Sequence, residues 1–276
     1  MRTLRRVVAW LVLAAGLLTA FMVWQATADP VVRRLTLNLP DWPAGTPPMR
    51  LVLISDLHVA GPETPPARLA RVVGQVNAIH PDLVLIAGDF VTEKRTATKL
   101  YGADAAIAPL AALRPKLGTI AVMGNHDHWL NSRDVHAALA KARITVLDNR
   151  AVRVGPLAIG GVDDAFTRHA DVAGTVAALE RIGGVPIVLS HSPDIFPQIP
   201  GSVPLTLAGH THCGQIVLPL FGPVATASRY GERYRCGAVE EGGKRLIVTA
   251  GIGTSILPFR LGAPADLWVI EVGGRR

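Results

Sequence analysis

From Val31 onward the chain alternates short apolar runs with stretches whose apolar positions recur every three or four residues. The runs lie at 35–39, 51–54, 83–87, 119–123, 157–159, 187–189, 205–208, 246–249 and 267–272. Several are apolar at every position, the pattern of strands buried on both faces. Helical periodicity falls between them, over 66–79, 98–113, 133–142 and 172–182. The first opens at Pro66 and puts Leu69, Val72, Val73, Val76 and Ile79 on one face, and Ser132 and Asp171 are placed to cap the last two. Alternation of this kind predicts a layered α/β domain with sheet in the middle. The proline-rich segment 41–48 reads as a turn between strands, and neither an internal repeat nor a low-complexity tract interrupts the pattern.

A different pattern opens the chain. Residues 7–24 carry no charged side chain and follow Arg2, Arg5 and Arg6. As a helix the run would span roughly 27 Å, close to a bilayer core, with Trp10 and Trp24 toward its ends. The rival is a cleaved signal peptide, since Ala26-Thr27-Ala28 has the form of a cleavage site. The run is long for an export signal, so residues 1–28 are expected to be an uncleaved anchor and 29–276 the domain it carries. Arg33 and Arg34 follow closely, so the positive-inside bias only mildly favours an outward-facing domain.

Composition narrows the class. With 49% hydrophobic and 18% charged residues among 276, the chain can bury a sizeable core and is not disordered. Its net charge is +7, but Arg2, Arg5, Arg6, Arg275 and Arg276 supply five of those charges. A basic nucleic-acid groove is therefore not expected. The two cysteines, Cys213 and Cys236, are too few for a disulfide framework or a four-thiolate zinc site.

The chemistry follows the strands. Run 51–54 leads into Ser55-Asp56-Leu57-His58, 83–87 into Gly88-Asp89, and 119–123 into Gly124-Asn125-His126-Asp127. Run 187–189 leads into Ser190-His191, and 205–208 into Gly209-His210-Thr211-His212. Open α/β sheets bind ligands beyond the carboxyl ends of their strands, so the five segments should converge on one crevice. Each motif alone is weak, but their joint placement at strand ends is not. No serine-hydrolase elbow, phosphate-binding P-loop or dinucleotide fingerprint competes.

Together these segments resemble the five blocks of the calcineurin-like metallophosphoesterases, in order and spacing, over about 50–212. Gly209-His210-Thr211-His212-Cys213-Gly214-Gln215, Leu189-Ser190-His191-Ser192-Pro193-Asp194 and the 253–262 segment further resemble a membrane-anchored or exported bacterial branch. Some of that branch are described as UDP-2,3-diacylglucosamine pyrophosphatases or broader phosphodiesterases. The resemblance implies an α/β/β/α sandwich of two packed mixed sheets behind one transmembrane helix. It also implies two metals: Asp56, His58, Asp89 and His212 around one, Asp89, Asn125, His191 and His210 around the other, with Asp89 shared. A carboxylate can span cations about 3.5–4 Å apart, and the donor set suits manganese, iron or zinc.

The expected activity is two-metal hydrolysis, with activated water attacking phosphorus in line. His126 is free to protonate the leaving group, and Asp127 is expected to orient it. Asp163, Asp164 and Arg260 are candidate substrate contacts; His128 and Trp129 are expected at the loop surface. Cys213 stands where the branch usually has glycine, and a free thiol is expected there, because pairing would constrain the His210–His212 loop. A tether of about six residues would favour lipid-linked substrates, and the resemblance implies the same, pointing to UDP-2,3-diacylglucosamine and lipid A-type biosynthesis at a bacterial inner membrane. An exported phosphodiesterase acting on envelope phosphodiesters is the alternative. The non-enzymatic rival, a tethered metal-binding scaffold, would lack a ligand or His126, and neither is missing.

Overall fold

The alternation of Leu51 and Leu53 with Val52 and Ile54 sets the architecture, because each pair joins a different core. In the computed structural model, which describes residues 1–274, helix α1 (Arg2–Thr27) precedes two six-stranded sheets. Arg275 and Arg276, counted above among the terminal charges, lie outside the described residues.

The first sheet contains β1 (Val31–Asn38), β2 (Met49–Ile54), β3 (Leu83–Ala87), β4 (Thr119–Val122), β5 (Ile144–Val146) and β12 (Asp266–Gly273). Its order is β1-β12-β2-β3-β4-β5, with β2 to β5 parallel and β12 antiparallel to β2. The second contains β6 (Arg150–Val154), β7 (Leu157–Val162), β8 (Val185–Ser190), β9 (Leu205–Ala208), β10 (Gly237–Glu241) and β11 (Lys244–Val248). Its order is β10-β11-β9-β8-β7-β6, with a parallel centre between antiparallel edge strands.

Leu51, Leu53, Leu85 and Val122 face Ile159, Ile187, Leu189 and Leu207 across the space between the sheets. The outer face of the first sheet is covered by α2 (Pro66–Ala78), α3 (Ala103–Ile107) and α4 (Asn125–Lys141), and that of the second by α5 (Val172–Ile182). The layers are α/β/β/α, as the resemblance implies.

Two helices differ from the sequence reading. The 98–113 stretch yields a short α3 and a 3-10 turn at Ala108–Ala112, because Gly102 and Pro109 interrupt it. Helix α4 starts directly at Asn125, eight residues earlier than its apolar periodicity indicates, and kinks at Asn131. There Asn131, not Ser132, accepts from the Asp134 amide at 3.4 Å. Asp171 does cap α5, accepting from Gly174 N at 2.8 Å.

Helix α1 has a mean hydropathy of 2.3 over its most apolar window and none of that window is buried. It is long and apolar enough to cross a membrane. Its last turns meet the sandwich: Arg260 N donates to Met22 O at 3.1 Å, and Arg68 Nη2 to Ala28 O at 2.7 Å.

Candidate metal centre

The ends of β2, β3, β4, β8 and β9 point the same way, and all seven residues nominated as ligands meet there, each buried. Cross-loop backbone bonds fix the segments to one another: Asp56 N to Gly88 O at 2.9 Å, His58 N to Asp89 O at 3.0 Å, and Gly209 N to His191 O at 2.9 Å. The turns are tight enough to exclude side chains. A Cβ at Gly124 would overlap the Asp89 carboxylate, and one at Gly209 would overlap Ser55 and Asp56. Asp56, His58, Asp89, His210 and His212 all have positive φ, a conformation costing non-glycine residues about 1–3 kcal/mol each and tolerated mainly at functional sites.

The donor atoms form two overlapping sets. His212 Nε2 lies 3.1 Å from His58 Nε2 and 3.5 Å from Asp56 Oδ1. Asp89 Oδ2 lies 3.4 Å from His58 Nε2 on one side and 3.3 Å from His191 Nε2 on the other. His191 Nε2 is in turn 3.1 Å from Asn125 Oδ1 and 3.0 Å from His210 Nδ1. Ligand atoms about 2.0–2.2 Å from one cation, at right or tetrahedral angles, stand about 2.8–3.6 Å apart. These separations therefore fit donors converging on shared ions, with Asp89 common to both sets.

Protonation agrees with that fit. Burial holds the His58 and His212 imidazoles well below their ordinary value, and burial with His191 beside it brings His210 down to about 4. All three are neutral near pH 7 and offer lone pairs. His191 Nδ1 lies 2.7 Å from Ala87 O, which makes it the donor nitrogen and turns Nε2 toward Asp89. Burial opposes the charged form of His191, but Asp89 raises it well above the usual value. A proton and a cation thus compete for the same Asp89 oxygen. Buried carboxylates, neutral imidazoles and an amide oxygen form a set that divalent cations fit.

The family model described as calcineurin-like phosphoesterase matches residues 49–214, which carry all seven. The chain belongs to the calcineurin-like phosphoesterase family. YkuE, an uncharacterized metallophosphoesterase of Bacillus subtilis, is 31% identical over 239 residues, 83% of this chain and 81% of the relative. An uncharacterized metallophosphoesterase of Aquifex aeolicus is 31% identical over 255 residues, 88% of this chain and 92% of the relative. A "Transmembrane protein with metallophosphoesterase domain" of Danio rerio is 27% identical over 95% of this chain, which spans only 62% of that relative. Family and site together make this calcineurin-like chain a metal-dependent phosphoester hydrolase.

Beside the centre opens a cavity of about 500 Å³ with Asp89, Asn125, His126, His210 and His212 at its polar end. Trp129, Phe166, Ile216, Val224, Ile256 and Leu257 form an apolar wall. Trp129 is therefore part of the cavity, not bare loop surface, and packs edge-on against His126 at 4.9 Å. His128 turns away instead, its Nε2 2.8 Å from Asp163 Oδ1, and that bond raises its pKa.

His126 lies close to the His58 and Asp89 donor atoms without being needed in either set. Its orienting carboxylate is not Asp127. Asp127 accepts from the amides of Gly124, Asp89 and Phe90 at 2.9 Å and of Val91 at 3.3 Å, so it fixes the turns that present Asp89 and Asn125. Glu93, which the sequence reading missed, does face the ring: its Oε2 is 2.8 Å from His126 Nδ1. No local motif marks Glu93, because the contact joins a loop after β3 to the first turn of α4, 33 residues away. Glu93→Gln should lower kcat about tenfold, within the usual worth of a carboxylate that orients a histidine. Metal content should stay unchanged, and the substitution should add nothing in a His126→Ala background. Asp127→Ala should instead lower unfolding free energy by about 3 kcal/mol or more in urea titration, since it leaves buried amides without acceptors.

The candidate substrate contacts sit elsewhere. Asp163 is bonded to His128, and Asp164 Oδ2 accepts from Thr167 N at 2.6 Å and Thr167 Oγ1 at 2.7 Å, closing a local turn. Arg260 is fully buried, its guanidinium donating to the carbonyls of Ala250, Gly251, Gly253 and Ala263 at 2.6–3.1 Å. It braces the loop behind the centre and does not line the cavity. Cys213 is not free. It is joined to Cys236 and packs on Ala250 and Ala263, away from the cavity lining. The constraint on the His210–His212 loop that argued against pairing is thus built in.

Proposed function

We propose that this phosphoesterase holds two divalent ions, manganese, iron or zinc, and hydrolyses a phosphoester or pyrophosphate in a lipid-linked substrate such as UDP-2,3-diacylglucosamine. Residues 1–28 anchor it by one span in a bacterial inner membrane, and 29–276 form the catalytic domain. The observation that carries the reading is the polar donor cluster at one end of an apolar-walled cavity, on a domain packed against the end of α1. An acyl chain beside the phosphoryl group would fill that wall.

In this reading Asp56, His58, Asp89 and His212 hold one ion, and Asp89, Asn125, His191 and His210 the other. When bound, such ions supply Lewis acidity: they activate a nucleophile near neutral pH and neutralise charge on phosphoryl oxygens. Glu93 accepts from His126 Nδ1 and fixes the orientation of the ring. His126 Nε2 then delivers its proton to the departing oxygen. Trp129 packs edge-on against the ring, and Phe166 helps to exclude water.

The Cys213–Cys236 disulfide favours a second reading. Such bonds persist outside the cytoplasm, where envelope phosphodiesters, not a cytosolic nucleotide sugar, would be met. A reporter active only outside the cytoplasm, fused after the C-terminus, together with assays of both substrate types in vesicles, separates them. An inward reporter with nucleotide-sugar turnover supports the first reading; an outward reporter with envelope phosphodiester turnover supports the second. Turnover confined to soluble phosphomonoesters contradicts both.

A further inference from the structure

Residues 216–224 read Ile-Val-Leu-Pro-Leu-Phe-Gly-Pro-Val, nine positions without a polar side chain. They form a small antiparallel hairpin from Val217–Leu218 and Gly222–Pro223. At its tip Leu220 is 102% exposed and Phe221 86%, and the neighbouring loop adds Ile256 at 73%. Contiguous apolar surface of this kind marks an interaction site.

Its position identifies the partner. Val217 N donates to Leu261 O at 2.7 Å, and the adjoining Arg260 N donates to Met22 O at 3.1 Å. Met22 precedes Trp24 by two residues in the last turns of α1, and an exposed indole near the end of an apolar helix sits at the membrane interface. The hairpin is thus tied to α1 at the depth where the helix leaves the bilayer. Exposed Arg95, beside the Thr96 hydroxyl that donates to Ile256 O, adds a cation suited to anionic headgroups.

We propose that the 216–224 hairpin, with Ile256 and Leu257, inserts into the bilayer surface beside α1 and opens the catalytic cavity directly to the membrane. Ile216, Val224, Ile256 and Leu257 line the cavity, so the inserted surface and the cavity wall are continuous, while Leu220 and Phe221 contribute only to the inserted tip. The inference rests on α1 spanning the membrane and deepens the lipid-linked reading.

The test uses the full chain in nanodiscs of phosphatidylethanolamine and phosphatidylglycerol. Because the native cysteines are joined, a fluorophore can be attached selectively at Leu220→Cys, with exposed Leu117→Cys, in the turn at the amino end of β4, as control. Lipids brominated near the headgroup should quench the Leu220→Cys label strongly and shield it from iodide, while the Leu117→Cys label shows the reverse. Equal iodide access for both labels overturns docking, whatever the substrate. In parallel, the Leu220→Glu/Phe221→Glu variant should keep hydrolysis of soluble bis(p-nitrophenyl) phosphate and lose about tenfold or more on UDP-2,3-diacylglucosamine in the same nanodiscs. Equal losses on both also overturn the proposal. Quenching without any turnover of the lipid-linked substrate retains docking and removes that substrate.

Discussion

Asp89→Ala should abolish hydrolysis and leave the purified protein depleted of metal. One oxygen of this carboxylate stands 3.4 Å from His58 Nε2 and 3.3 Å from His191 Nε2, so it alone belongs to both donor sets. Its other oxygen accepts from His126 N at 2.9 Å, which ties the shared ligand to the start of α4. Removing it takes the negative charge from between two imidazole groups and leaves each donor set one ligand short. Asp89→Asn keeps the size and loses the charge, and should fail almost as completely. Metal analysis of both variants, with melting curves to verify folding, checks this. Two ions per chain in Asp89→Ala would mean that the carboxylate does not bridge.

His126→Ala should have the second largest effect, with the opposite signature. Both ions should stay bound while kcat falls by about 10²–10⁴, the usual range for a positioned proton donor. The ring packs edge-on to His58 at 4.7 Å and faces the cavity, yet neither donor set requires it. The deficit should be smallest for substrates whose leaving group needs no proton, such as a nitrophenolate. Metal loss in this variant would make His126 a ligand, since it lies close enough to His58 and Asp89 to serve.

The layers and the seven candidate ligands were legible for one physical reason. Parallel strands buried on both faces carry uninterrupted apolar runs, and each run ends where the chain must turn toward a ligand. What escaped depends on contacts distant in sequence. The first turn of α4 is Asn-His-Asp-His, without apolar spacing, so its helix became visible only through Asp127 and the amides it accepts. Glu93 and Phe166 reach the cavity from separate loops. Arg260 resembles a surface arginine until the turn carbonyls that need its donors are seen. The Cys213–Cys236 bond spans 23 residues, and its compatibility with the His210–His212 loop depends on how Cys213 is directed there.

The central claim is that this site performs hydrolysis with two ions bound to these side chains. Metal-stripped full-length protein, titrated with manganese while bis(p-nitrophenyl) phosphate turnover is followed, tests it most directly. Activity should be absent without metal and reach its plateau at two equivalents per chain. Undiminished turnover after stripping, or a plateau at one equivalent, would contradict it.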